Sequence, residues 1–400
     1  MNNPSPYSSV MKIADRPNLV FVRGRGSWMF DDQGRQYLDF IQGWAVNCLG
    51  HCPTQISQAV SKQVNTLINA SPAFYNNAML KLADSLVQHS CLDQVFFTNS
   101  GAEANEGAIK LVRKWGQLHK GGASKIITFN NGFHGRTLAT MSASAKAQFA
   151  PLFEPKVPGF TKVPFNDLSA LQQAIDPQTV AIMLEPIQGE AGVIPAELEF
   201  MQGVRQLCDQ HDILLILDEV QTGIGRTGSL FAYQQYAIEP DILTLGKGIG
   251  GGLPLAALLA KGKFCCFAHA DQGGTFNGNP LTTAAGQAVM DTVADTEFLA
   301  QVQHLSTYLR EGLMQLSVAF NLGEVRGSGL LLALETGSLD ANVIVQQALQ
   351  NQLLLNAPRA HTLRFMPALN VSEQEISQML EKLATILGSL ITAVSKVKAI

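Results

Sequence analysis

From about residue 90 onward the chain repeats one pattern, a short and almost continuous apolar run followed by a longer stretch with helical periodicity. The apolar runs are "QVFFTN" (94–99), "KIITFN", "VAIMLEPI", "ILLILDEV", "DILTLGK" and "LAALLAK". They lack the alternation of a strand with one wet face, so they read as strands buried on both faces. Between them lie segments such as "SGAEANEGAIKLVRKW" (100–115) and "ELEFMQGVRQLCDQ" (197–210). In the first, Ala104, Ala108, Leu111, Val112 and Trp115 share one helical face, and Ser100 and Glu103 have capping-box spacing. Repeated strand–helix alternation predicts an α/β fold around a mostly parallel sheet.

The pattern changes after Asn279-Pro280, a helix start with proline in the first turn. Phe298, Val302, Leu305, Leu309 and Leu316 form a helical stripe, and "EVRGSGLLLALET" (324–336) reads as one strand. A capping box at Ser372 and Glu375 opens a last helix carrying Ile376, Met379, Leu380, Leu383 and Leu387. Helices and strands separated in this way predict a smaller α+β domain. The expected division is an N-terminal segment (1–45) packing with the small domain, a large domain (46–287) and the small domain itself (288–400).

Composition narrows the partners. Charged residues make up 15% and hydrophobic ones 46%, against about 25% charged in a typical globular chain. So little charge favours an oligomer with a large buried interface. A net charge of −4 offers no basic footprint for nucleic acid. No apolar stretch is long enough to cross a bilayer, and "MNNPSPYSSVMKIADRP" lacks the basic-then-apolar order of a signal peptide. Six cysteines fit a reducing cytoplasm better than a disulfide scaffold. Cys48, His51 and Cys52 in "NCLGHC" have no second ligand pair at finger spacing, so they read as structural and no metal is expected.

In open parallel sheets, ligands sit beyond the carboxyl ends of the strands. Asp218 and Glu219 stand at that end of "ILLILDEV", and Lys247 at that end of "DILTLGK", in front of a glycine-rich turn. An acid and a lysine at neighbouring strand ends can be a plain ion pair. They are also what a pyridoxal phosphate site needs, an amine to condense with the aldehyde and a carboxylate to keep the pyridine nitrogen protonated. Ser100-Gly101-Ala102 lies where a strand turns into a helix, a common structural turn and equally an anion site. Thr275 can add a hydroxyl, and Phe133 either stacks on a ring or belongs to the core. Both "GIGRTG" (223–228) and "GKGIGG" (246–251) satisfy the dinucleotide-binding pattern. Neither leads to a strand ending in an acid about 20 residues later, nor clearly opens a long helix. A phosphate loop of the G-x-x-x-x-G-K-[ST] type is excluded because position 241 is Asp.

Six segments in order, "FFTNSGAEANEGAIKLVRKW", "FHGRT", "EPIQGEAGV", "LLILDEVQTGIGRTGSLFAY", "PDILTLGKGIGGGLP" and "TFNGNPL", together resemble the class III, ornithine-type aminotransferases that use pyridoxal phosphate. The resemblance runs from "RGRGSWMFDDQGRQYLDF" (23–40) to "LRFMPALNVSEQEI" (363–376), and "GWAVNCLGHC" and "VPFNDLSALQQAI" are most similar to the bacterial acetylornithine branch. It implies a fold type I transferase with a seven-stranded-type sheet. Lys247 would carry the cofactor, Asp218 would bond the pyridine nitrogen, and Val220 and Phe133 would sandwich the ring. Gln221 would contact the ring oxygen. Gly101 and Ala102 would hold the phosphate, helped by Thr275 from the other subunit of a homodimer with shared active sites. Arg136 would receive a substrate carboxylate and Arg364 the carboxylate of the keto acid, with Glu190 pairing Arg364 while an ω-amino donor is bound.

The implied reaction moves the terminal amine of N2-acetyl-L-ornithine to 2-oxoglutarate, a step of arginine biosynthesis. Ornithine, succinylornithine, N-succinyl-diaminopimelate and 4-aminobutyrate are the alternative donors. Gly274 stands where many members have Ser, and "TFNGNP" replaces Thr-Tyr-Gly-Gly-Asn-Pro, departures expected to bear on the choice of donor.

Overall fold

The computed structural model describes residue 7, residues 9–146 and residues 151–398, with side chains to 392. All six apolar runs are strands of one seven-stranded sheet. Its order is Gln94–Thr98, Ala256–Ala260, Ile242–Leu245, Leu214–Asp218, Thr179–Leu184, Lys125–Phe129 and Phe160–Val163. Among these seven strands only Ala256–Ala260 runs against its neighbours. The link from Leu245 to Ala256 holds no crossover helix and returns the chain in the opposite sense.

The strands are apolar throughout because each face of the sheet is covered. Ile126, Ala181, Met183, Ile216 and Ile242 pack with Ala108, Leu111, Val112 and Trp115 of helix Gly101–His119. The alternate residues Ile127, Ile182, Leu184, Leu215 and Leu217 face the other way, toward Phe200, Met201, Val204 and Leu207 of helix Leu198–Gln210.

A second sheet of four strands, ordered Val325–Ser328, Leu331–Glu335, Thr362–Phe365 and Asn356–Arg359, lies C-terminal to this core. Residues 324–336 are therefore a hairpin and not the single strand expected. Ser328 pairs with Leu331, and Gly329 turns the chain at φ +57°. A Cβ at Gly329 would lie 2.3 Å from the Thr227 carbonyl carbon, so the turn is fixed by close backbone approach. The expected stripe is buried at Val302, Leu305, Leu309 and Leu316 in helix Thr296–Phe320. The Ser372–Glu375 box opens helix Glu373–Lys398, with Glu375 N donating to Ser372 Oγ at 3.2 Å.

Residues near the N-terminus join this C-terminal part. Strands Phe21–Arg25, Trp28–Asp31 and Gln36–Asp39 form a sheet completed by Leu353–Leu354, in which Leu38 pairs with Leu353 and Asp39 with Leu354. Trp28 Nε1 donates to Glu375 Oε1 at 3.0 Å. The residues of "NCLGHC" have separate partners: Cys48 Sγ donates to Gly248 O at 3.1 Å, His51 Nε2 lies 2.8 Å from Asp39 Oδ2, and Cys52 is exposed. Among the described residues no helix is long and apolar enough to cross a membrane.

Candidate active site

A cavity of about 270 Å³ opens at the carboxyl ends of the central strands. It brings together Gly101, Ala102, Phe133, Arg136, Glu190, Asp218, Val220, Gln221 and Lys247, all singled out from the sequence, with Asn105, His134, Gly135 and Glu185. Strand geometry explains the convergence. Asp218 ends Leu214–Asp218, and its parallel neighbour Ile242–Leu245 delivers Lys247 two residues beyond its end.

One end of the cavity is the start of helix Gly101–His119. Ser100 Oγ accepts from Glu103 N at 3.3 Å, while Glu103 Oε2 accepts from Ser100 N and Asn99 N at 3.0 and 2.7 Å. This capping box occupies those amides and leaves the amides of Gly101 and Ala102 without a partner among the described residues. Two free N–H groups at the positive end of a long helix suit an anion. Gly101 is packed against Val220, since a Cβ there would come within 2.7 Å of Val220 Cγ1.

At the other end Asp218 is fixed by donors. Its Oδ2 accepts from Asn105 Nδ2 at 2.7 Å and lies 2.8 Å from His134 Nδ1, and its Oδ1 accepts from Val220 N at 3.1 Å. Asn105 is in turn set by Thr244 Oγ1, which donates to Asn105 Oδ1 at 2.7 Å. Burial alone would lower His134, but the hydrogen bond and charge of Asp218 carry it above the usual histidine value. Glu185, also buried, accepts from Phe133 N at 2.9 Å, and burial with the nearby Asp218 charge pushes its carboxyl up to about 7. Glu219, the second acid of the strand end, turns away and accepts from Ala232 N and Tyr233 N at 2.6 and 2.8 Å.

Lys247 Nζ makes no hydrogen bond or ion pair among the described residues. Burial pulls its ammonium below the ordinary lysine value, against the opposing charges of Asp218 and Glu185. Its backbone sits at φ +46°, a left-handed conformation that costs a non-glycine residue about 1 kcal/mol and recurs at functional sites.

Arg364 does not itself line this cavity; it lies behind Gln221 and Glu190, which do. Arg364 is fully buried on strand Thr362–Phe365, with Nε donating to Asn356 Oδ1 at 2.9 Å and Nη1 to Gln221 Oε1 at 3.4 Å. Its Nη2 donates to Glu190 Oε1 at 2.9 Å. Burial alone would raise the Glu190 carboxyl, but the charge of Arg364, with Lys146, holds it down at about 2. Arg136 lines the same cavity and is exposed. Thr275 and Gly274 do not line it; they lie on the loop before Asn279, where Thr275 and Phe276 are exposed.

Asn105, His134, Glu185 and Lys146 escaped the sequence reading. His134 is adjacent to Phe133 and Glu185 opens "EPIQGE", so these two were within reach of a motif already noted, whereas Asn105 and Lys146 were not. The donor set fits pyridoxal phosphate: free amides for its phosphate, a fixed carboxylate for its ring nitrogen, and an unbonded lysine amine for its aldehyde.

Comparison with known proteins agrees. The family described as Aminotransferase class-III matches residues 10–387. "Acetylornithine aminotransferase 2" of Bordetella pertussis is 58% identical, over 96% of this chain and 98% of that protein. "Acetylornithine aminotransferase" of Ralstonia nicotianae is 56% identical over the same shares. Among solved structures, N-acetylornithine aminotransferase from Stenotrophomonas maltophilia superposes with a TM-score of 0.83 at 38% identity, covering 95% of this chain and 98% of that one. Ornithine aminotransferase from Toxoplasma gondii gives 0.91 at 31% identity, covering 96% and 93%. With its seven-stranded sheet and these matches over nearly its whole length, this chain belongs to the class III, pyridoxal-phosphate-dependent aminotransferases.

Proposed function

We propose that this aminotransferase moves the terminal amine of N2-acetyl-L-ornithine to 2-oxoglutarate, giving N-acetylglutamate 5-semialdehyde and L-glutamate. The observation that carries the reading is the buried Arg364 paired with Glu190, which itself lines the cavity together with Arg136. A donor reacting at its ω-amine has no carboxylate beside the reacting carbon, so Arg364 needs a counter-charge from the protein. A keto acid brings its own and displaces Glu190. The relatives at 56–58% identity named for acetylornithine support this donor.

Pyridoxal phosphate, when bound, supplies an aldehyde carbon to carry the amino group and a ring to take up the electron pair released at the reacting carbon. Lys247 Nζ, whose ammonium is pulled below the ordinary lysine value by burial, would hold the aldehyde carbon. Once a donor amine takes its place there, Nζ would serve as the base and acid for the proton of the reacting carbon. Asp218, anchored by Asn105 and His134, keeps the ring nitrogen protonated. The amides of Gly101 and Ala102 would hold the phosphate, and Val220 and Phe133, which line the cavity, would flank the ring and exclude water from it. Gln221 orients the ring oxygen, and Arg136 at the mouth takes the donor's carboxylate.

The same reading gives a homodimer in which Thr275 of the partner subunit completes the phosphate end and Gly274 borders the donor. Exposure of Thr275 and Phe276 on a loop outside their own cavity supports it. It also divides the chain into residues 1–45, 46–287 and 288–400, with the pairing of Leu38 and Leu353 in favour of the first boundary. The free cysteines support a cytoplasmic enzyme.

Titrating the cofactor-loaded protein with N2-acetylornithine while following its visible absorption tests the proposal. The band is expected to be lost at low donor concentration and restored by 2-oxoglutarate. A band indifferent to acetylornithine but responsive to ornithine, succinylornithine, N-succinyl-diaminopimelate or 4-aminobutyrate would replace the donor. A dimer in scattering measurements is expected as well.

A further inference from the structure

Two cations approach Glu190 from opposite ends of its carboxylate. Arg364 Nη2 donates to Oε1 at 2.9 Å, and Lys146 Nζ donates to Oε2 at 2.6 Å. Side-chain exposure orders them: Arg364 is 1% exposed, Lys146 19% and Glu190 23%, so the arginine lies deepest and the lysine nearer to water. Lys146 Nζ also stands 5.1 Å from the centre of the Phe133 ring, which favours its place against the pocket wall. The backbone that carries Glu190 is gripped from outside. Arg326 Nε and Nη2 donate to Gly192 O at 2.9 and 2.7 Å, and Arg359 Nε donates to Ala191 O at 3.3 Å. With its backbone fixed, Glu190 can change partner only by moving its side chain between these two cations.

We propose that Lys146 is the second berth of the Glu190 carboxylate: when a substrate carboxylate takes Arg364, Glu190 turns wholly to Lys146. The inference rests on the reading above that Arg364 receives the keto acid. Glu190 is mostly buried, and an anion released there without another cation would be left desolvated and unpaired. Lys146 removes that penalty and brings the two arrangements close in free energy, as an element that alternates in every turnover requires. Its charge acts through Glu190, which makes it a positioning residue.

The test is the affinity of the cofactor-loaded protein for glutarate, a dicarboxylate with no keto group to react, measured by calorimetry. Lys146→Gln is expected to weaken glutarate by roughly three- to tenfold, the scale of a partly exposed ion pair, because Glu190 then competes harder for Arg364. Lys146→Arg should restore it. In a Glu190→Gln background, Lys146→Gln should have no further effect. In turnover, the KM for 2-oxoglutarate should rise more than that for N2-acetylornithine, whereas a packing defect would move both together.

Unchanged or tighter glutarate binding in Lys146→Gln overturns the proposal. So does a loss that persists without the Glu190 charge, since Lys146 would then bind the dicarboxylate itself. Arg364→Gln separates the two readings. If that variant binds glutarate as the wild type does, the assignment of Arg364 fails; if it loses glutarate while Lys146→Gln does not, only the second berth fails.

Discussion

Replacing His134 by phenylalanine tests how Asp218 is held. His134 is buried, and its Nδ1 lies 2.8 Å from Asp218 Oδ2. Phenylalanine keeps the approximate volume and the backbone bond from His134 N to Ser144 Oγ, and deletes the ring donor. A hydrogen bond to a charged group is worth about 1.5–3 kcal/mol; Asp218 keeps Asn105 and Val220 N as donors, so about 2 kcal/mol is expected. With an unfolding entropy of roughly 2.1 cal/mol/K per residue over 400 residues, that lowers Tm of the cofactor-free protein by about 2–3 °C.

The pH dependence gives a sharper criterion. His134 is raised in the folded protein above its ordinary 6.5. Its contribution is therefore complete below about pH 6.5 and fades as pH climbs through the raised value. The gap between wild type and variant should be widest in mild acid and narrow in mild alkali. Calorimetric scans of both proteins across that range measure it. A gap that is absent, flat or wider in alkali would refute the buried His134–Asp218 pairing.

Lys247→Ala should lose the visible band of the lysine-linked cofactor and all turnover. The cofactor-free protein should melt no lower than the wild type, because a buried amine without a hydrogen-bond or ion-pair partner has been removed; retained turnover would remove Lys247 from its role. Gly101→Ala places a Cβ 2.7 Å from Val220 Cγ1, and cofactor affinity by equilibrium dialysis should fall roughly tenfold, within the range of overpacking costs. Val220→Ala in the same chain should recover part of the loss. Gly274→Ser would bring a Cβ within 2.6 Å of Asn277 Oδ1, which accepts from Asn99 Nδ2 at 3.0 Å. It should lower Tm slightly, and adding Asn277→Gly should restore it; a Tm unaffected by either change would show that the loop absorbs both.

What was legible in the sequence follows from how locally each feature is specified. The strands could be read because both faces of each are covered, which writes burial into consecutive residues such as those of Thr179–Leu184. Lys247 and Asp218 could be read because a site at strand ends falls just after such runs. The hairpin at Gly329 was hidden because the residues before and after it are apolar too, and only the approach of the Thr227 backbone makes the turn necessary. Lys146 and Asn105 could not be found by spacing. One meets Glu190 across 44 positions and the other Asp218 across 113, and a lone lysine or asparagine carries no periodic mark of its contacts. The departures at Gly274 and Asn277 were visible as separate oddities. Their common cause, one small volume that two side chains cannot share, needed coordinates.

The sheet that joins Leu38 to Leu353 sets a schedule for the growing chain. Strands near the N-terminus are made among the first, yet their parallel neighbour is made more than three hundred residues later. At about 5–20 residues per second, the ribosome needs roughly 15–60 s to supply it. Through that interval Leu38 and Phe40, both fully buried in the finished protein, lack the backbone acceptors that Gln352 and Leu354 supply. The other edge of the same sheet, strand Phe21–Arg25, carries the exposed Arg23 and Arg25, charges that discourage pairing with a neighbouring chain. Completion of the sheet that begins at Phe21 is thus one of the last events of synthesis.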